Sequence, residues 1–116
     1  MRHRKKIIKL NRSRTHRIAL LKQLATSLFL YEQIETTVAK AKAVKPYAER
    51  LITCAKQDTP TARRSARVKL LHKNAVCKLF EVIGPKYSNR AGGYARITRT
   101  ARREGDSAEK AVISLV

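Results

Sequence analysis

The chain has 116 residues and a formal charge of +19, from 27 Lys and Arg against 8 Asp and Glu. Charge of one sign at this density opposes a compact fold unless a polyanion neutralises it, and each neutralised phosphate also releases condensed counterions. The scattered carboxylates form no pair in an apolar setting, and no nucleophile elbow or Walker loop is present, so the reading excludes an enzyme, a cofactor and a small-molecule substrate.

One domain is expected from the length. No run approaches the roughly 20 apolar residues of a membrane span, and Ile7-Ile8 is too short for the apolar segment of a signal peptide. The basic N-terminus leads straight into a helical pattern without a spacer, which is expected of mature cytoplasmic protein rather than of a transit peptide. Cys54 and Cys77 lie within apolar helical patterns and lack partners at metal-ligand spacing. They read as small core residues in a reducing compartment, with no metal site.

Residues 1–13 form a basic arm with no apolar periodicity, expected to be disordered alone and ordered on a partner. A helix capped by Ser13 or Thr15 follows to about Leu30, with Ile18, Leu21, Leu24, Ala25 and Leu28 as its apolar stripe. Ile34, Thr36 and Val38 alternate with Glu35 and Thr37 and predict a short strand. Lys40 to Lys56 returns to helix, its face being Val44, Tyr47, Ala48, Leu51, Ile52 and Ala55. Pro46 inside it predicts a kink, or else a loose first turn at 39–43.

Thr59-Pro60 predicts a capped helix over 60–71. A further helix, capped by Asn74, presents Ala75, Val76, Leu79, Phe80 and Ile83 and is expected to stop at Gly84-Pro85. A loop is predicted over 86–93, an alternating strand over 94–101, a turn at Gly105-Asp106-Ser107 and a final strand over 111–116. The fold class is therefore α+β, with helices packed on one face of a small, mostly antiparallel sheet. It comprises a basic arm over 1–13 and a single domain over 14–116.

Two basic constellations stand out as nucleic-acid contacts. The first is Arg2, Arg4, Lys5, Lys6, Lys9, Arg12, Arg14 and Arg17, eight cations within 17 residues, with no acid before Glu32. Solvated faces ordinarily mix both signs. His3, Asn11 and His16 add groups able to hydrogen-bond or stack on bases, His16 being equally a polar residue of the first helical turn. Ordering such an arm costs on the order of 1 kcal/mol or more per residue, so many phosphate contacts are required.

The second is Lys86, Arg90, Arg96, Arg99, Arg102 and Arg103, with no acid between Glu81 and Glu104. Gly92 and Gly93 beside Arg90 let a phosphate approach the backbone, or form a flexible lead-in to the strand. Tyr87 and Tyr94 either stack on bases or pack against the sheet. Arg63, Arg64, Arg67, Lys69 and Lys73 read equally as a third contact or as an exposed helix face.

Several separated motifs occur in order: Met1-Arg-His-Arg-Lys, Leu10-Asn11-Arg12 with His16-Arg17, Ile34-Glu-Thr-Thr-Val-Ala-Lys40-Ala-Lys42, Glu49-Arg-Leu-Ile-Thr-Cys-Ala-Lys56, Arg90-Ala-Gly-Gly-Tyr-Ala-Arg-Ile97 and the Gly105-Asp106 turn. In these the chain resembles the bacterial-type large-subunit ribosomal protein L17 family over essentially its full length, Pro46 being a departure from the pattern. The resemblance implies a structural constituent of the large ribosomal subunit, in the cytoplasm, bound to 23S rRNA and touching neighbouring large-subunit proteins. Its rivals are an architectural DNA-binding protein, which calls for an apolar wedge and a dimer interface, and a membrane-active cationic protein.

Overall fold

A computed structural model describes residues 3–116. The elements are α1 (Arg14–Tyr31), β1 (Gln33–Thr37), α2 (Val38–Ala55), α3 (Pro60–Lys69), α4 (Lys73–Lys78) running on through a π-helical turn (Leu79–Ile83) to α5 (Gly84–Lys86), β2 (Ala95–Arg99) and β3 (Lys110–Leu115). The strand order is β1-β3-β2 with both pairings antiparallel. The α+β expectation holds.

Register explains which face is covered. Ile34 and Ile97 both lie opposite Ile113 of the central strand, while Ala95 lies opposite Leu115. Directly opposed residues share a face, so these side chains point the same way, and α1 and α2 pack over them. The other face carries Gln33, Glu35, Arg96 and Thr98, all exposed. The C-terminal strand is tied on both sides: Leu115 N–H donates to Glu32 O at 2.9 Å and Val116 N–H to Tyr94 O at 2.9 Å.

Helix α2 supplies the middle of the core through Val44, Ala48, Leu51, Ile52 and Ala55, all buried as their spacing requires. It starts at Val38, so Pro46 is interior and does not begin it. Val38 is thus the first helical residue rather than the last of the strand, although its side chain stays buried. In α1 the inward residues are Ala25, Thr26, Leu28 and Phe29. Ile18, expected in the stripe, is 43% exposed because the N-terminal half of α1 runs past the core. Ser13 occupies the N-cap position without a side-chain cap bond. Thr59 does cap α3, its hydroxyl accepting from Ala62 N–H at 3.1 Å with Pro60 in the first turn.

The largest departure is at Gly84-Pro85. The chain stays helical through Lys86, Gly84 having φ −54° and ψ −55° and donating its N–H to Leu79 O. In a regular α-helix the Pro85 ring would strike the carbonyl of Glu81. The wider π turn just before it displaces that carbonyl row and admits the proline. Cys54 and Cys77 are free and half-buried rather than fully in the core.

Candidate nucleic-acid interface

The arm is described from His3; Arg2 lies outside the described residues. It has neither helix nor strand, and Arg4, Lys5, Lys6, Lys9, Asn11 and Arg12 are exposed, as is His3. Leu10 and Asn11 have φ of 55° and 52°, and Arg12 N–H donates to Lys9 O at 3.2 Å. Two central residues with positive φ make a tight reversing turn, which Asn tolerates better than Leu. The turn sends the arm back over the helices. Lys6, Ile7 and Ile8 border a groove completed by Arg17 and Leu21 of α1 and by Ala43, Pro46, Tyr47 and Arg50 of α2. Arg17 reaches back, Nη1 donating to Arg12 O at 3.4 Å.

The first turn of α1 adds Arg14, His16 and Arg17 and contains no acid. Cations at a helix N-terminus reinforce the positive end of the helix dipole instead of offsetting it. The whole entry to α1 is therefore electropositive.

The glycine loop is rigidly seated at its root and open at its tip. Tyr87 and Tyr94 are 3% and 1% exposed, with ring centroids 5.2 Å apart, so the core takes them and base stacking is closed to them. Burial pushes the Tyr87 hydroxyl above the ordinary phenol range, and it donates to Val116 O. Lys56 Nζ donates to Arg90 O and to Tyr94 Oη, holding that phenol below its ordinary range. At the tip, Arg90 Nε donates to Gly92 O at 3.1 Å. Gly93 has φ +63°, and a Cβ on either glycine would meet nothing within 4 Å. Gly92 and Gly93 face Pro46, Glu49, Arg50 and Thr53 of α2 across a shallow groove.

Pro46 and Arg50 therefore border both grooves, and the exposed ridge of α2 joins the arm to the glycine loop. Arg50 was not among the residues singled out from the sequence. Its signal was there, one turn after Pro46 and off the apolar stripe. Glu49 is the one acid among these lining residues, and it accepts from Ala95 N–H at 3.4 Å.

The remaining cations of the second constellation are dispersed. Lys86 Nζ lies 3.9 Å from Glu32, which also pairs with Lys78 at 3.1 Å. Arg99 and Arg102 flank Glu109 at 3.9 and 3.7 Å, and Arg103 forks onto Asp106. Arg96 stands on the open sheet face. Acid partners thus neutralise part of this group, while no carboxylate pairs with Arg4, Lys5, Lys6, Lys9, Arg12, Arg14, Arg17, Arg50 or Arg90 among the described residues. No group of three His, Cys, Asp or Glu suited to a metal occurs among the described residues, and none of their helices is long and apolar enough to cross a membrane.

Residues 20–116 match the family model described as Ribosomal protein L17. The chain is 52% identical over 116 residues to a protein of Koribacter versatilis named large ribosomal subunit protein bL17, an alignment covering 100% of this chain and 72% of that one. Its similarity to the Fusobacterium nucleatum protein of the same name is 48% over 116 residues, covering 100% of both. With the Cereibacter sphaeroides protein of that name it shares 46% identity over 116 residues, 84% of that chain. These alignments take in the arm, which lies outside the family-model match.

Proposed function

We propose, from the premise that this chain belongs to the ribosomal protein L17 family and is a structural constituent of the large ribosomal subunit rather than an enzyme, that it holds 23S rRNA against one continuous face. That face runs from the arm (Arg4, Lys5, Lys6, Lys9, Arg12) across Arg14, Arg17 and Arg50 to Arg90 and the Gly92-Gly93 tip. Its place of work is the cytoplasmic ribosome, where neighbouring large-subunit proteins complete its surroundings.

The observation that carries the reading is the sharing of Pro46 and Arg50 by the two grooves, which aligns the arm with the glycine loop. Phosphates neutralise the cations and release counterions. Arginine at 14, 17, 50 and 90 supplies forked donors that fit phosphate oxygens in pairs. Gly92 and Gly93 leave space above the backbone for a sugar–phosphate strand to come close. His3, Asn11 and His16 are placed on the arm and its exit, where they serve base edges or sugars. Arg96, Arg99 and Lys86 contribute field more than direct contact. Family membership favours rRNA over the architectural DNA-binding alternative.

Competition among structured 23S rRNA fragments, duplex DNA and anionic vesicles for the full chain tests this. The rRNA should displace the other two at matched phosphate concentration. Equal competition by duplex DNA would remove the rRNA preference.

A further inference from the structure

We infer that the α3–α4 junction is a second, separate rRNA-docking site, one that takes a single unstacked nucleotide. Its base would rest on an apolar floor and its phosphates on the cations around it. The inference rests on the reading of the chain as an rRNA-binding protein and assigns a surface which that reading does not use.

From Thr59 to Phe80 the sequence has six Lys or Arg and no acid. Helix α3 turns Ala62 and Ala66 inward and carries Arg63, Arg64 and Arg67 along one outer ridge. Arg63 is already engaged, forking onto Asp58 at 2.7 and 3.2 Å and lying over the Phe80 ring at 5.1 Å. Arg64, Arg67 and Lys73 have no carboxylate partner among the described residues and remain exposed.

The turn between the helices is pinned. Tyr47 Oη donates to Lys69 O at 2.8 Å, and Leu71 N–H donates to Thr26 Oγ1 at 3.0 Å, Thr26 being 3% exposed. With its backbone fixed this way, the turn holds Leu71 out to solvent at 53% exposure, beside Val68 at 70%. Next to them a shallow groove of about 400 Å³ is lined by Arg67, Leu70, Leu71, His72, Lys73 and Val76.

An apolar floor flanked by Arg67 and Lys73, with Arg64 on the adjoining α3 ridge, repels a basic partner and rewards a ligand with a flat apolar face and an anion a few Å away. A nucleotide has both. Bases splayed from single-stranded loops are what proteins grip in RNA, and the pinned turn means that little ordering entropy remains to be lost on binding.

Two measurements on the full chain test the assignment. In the first, R64Q/R67Q/K73Q is titrated with salt on 23S rRNA beside L71S. The triple variant should make the slope of log K against log salt shallower by about 1.4 to 1.8, because a single nucleotide brings two flanking phosphates at about 0.7–0.9 each. L71S should lower affinity about tenfold through lost apolar contact, with the slope unchanged. All four side chains are exposed, so melting temperatures should match the wild type. In the second, a benzophenone amino acid at position 71 is photolysed in assembled large subunits and should crosslink to 23S rRNA. A crosslink to a ribosomal protein, or none to RNA, overturns the site. So does a triple variant that keeps wild-type slope and affinity while the wild type binds steeply. Failure of the wild type itself to bind 23S rRNA removes the broader reading, and this one with it.

Discussion

Gly84 lies against Ala55 so closely that a Cβ added to it would sit 3.1 Å from the Ala55 carbonyl oxygen, and 3.3 Å from that of Leu79. Both carbonyls are backbone and cannot swing aside. This contact lets the last helical segment pack on the end of α2, the root from which the glycine loop leaves. Helix propensity favours Ala over Gly by about 1 kcal/mol, but overpacking costs about 1–3 kcal/mol. Gly84→Ala should therefore lower stability by about 1 kcal/mol, and Gly84→Val by more. Gly92→Ala, in open space, should leave it within about 0.5 kcal/mol. Urea unfolding midpoints of the three variants check this ordering.

Thr26 both donates to Lys22 O at 2.7 Å and accepts from Leu71 N–H. Thr26→Val keeps the shape but strands that amide, which should cost about 1–3 kcal/mol. Tyr47→Phe removes a more exposed bond and should cost less. Amide hydrogen exchange at Leu71 should accelerate in Thr26→Val; unchanged protection there would show that the turn is held by something else.

Gly93 requires φ +63° yet has free space around its Cα. Gly93→Val should cost about 1–2 kcal/mol from the left-handed conformation alone. Arg90→Lys should leave stability nearly untouched and weaken rRNA binding, because a point charge does not replace a fork. Melting temperature and rRNA affinity measured on the same two proteins separate strain from contact. Unchanged affinity in Arg90→Ala would take the loop off the binding face.

Acid sensitivity follows from two exposed pairs. The hydrogen bonds from Arg63 hold Asp58 below the ordinary carboxylate range, and those from Arg103 hold Asp106 well below it. A carboxylate depressed in the folded state stabilises it above the unfolded pKa and loses that contribution as pH falls through the folded one. Stability of the free chain should thus decline as pH drops below about 4. Asp58→Asn and Asp106→Asn should each flatten that decline, seen in thermal melts between pH 2 and 6. The gain is small because both pairs are solvated.

Much of this architecture is legible in the chain. The apolar spacing in α2, and the run Ala75, Val76, Leu79, Phe80 and Ile83, locate the core because burial follows helical period. Thr59-Pro60 marks a helix start because capping is local chemistry. Gly84-Pro85 misleads for a reason that spacing does not carry: a π turn upstream and a close approach to Ala55 are both tertiary. Strand order is equally hidden: β2 pairs with β3 across only 12 to 20 residues, but the β1–β3 pairings that put β3 in the middle join residues 73 to 81 positions apart. At the site, the arm's cations are plain from composition. That Arg50 bridges arm and loop, or that Glu109 and Asp106 claim Arg99, Arg102 and Arg103, emerges only when the chain is folded.

The most direct test is the salt dependence of 23S rRNA binding by the wild type and by a variant with Gln at Arg2, Arg4, Lys5, Lys6, Lys9 and Arg12. If about ten phosphates are engaged, the wild-type slope of log K against log salt should be roughly −7 to −9, and the variant's shallower by about 4 to 5. A wild-type slope shallower than about −3, or a variant that binds with the wild-type slope, would contradict the account.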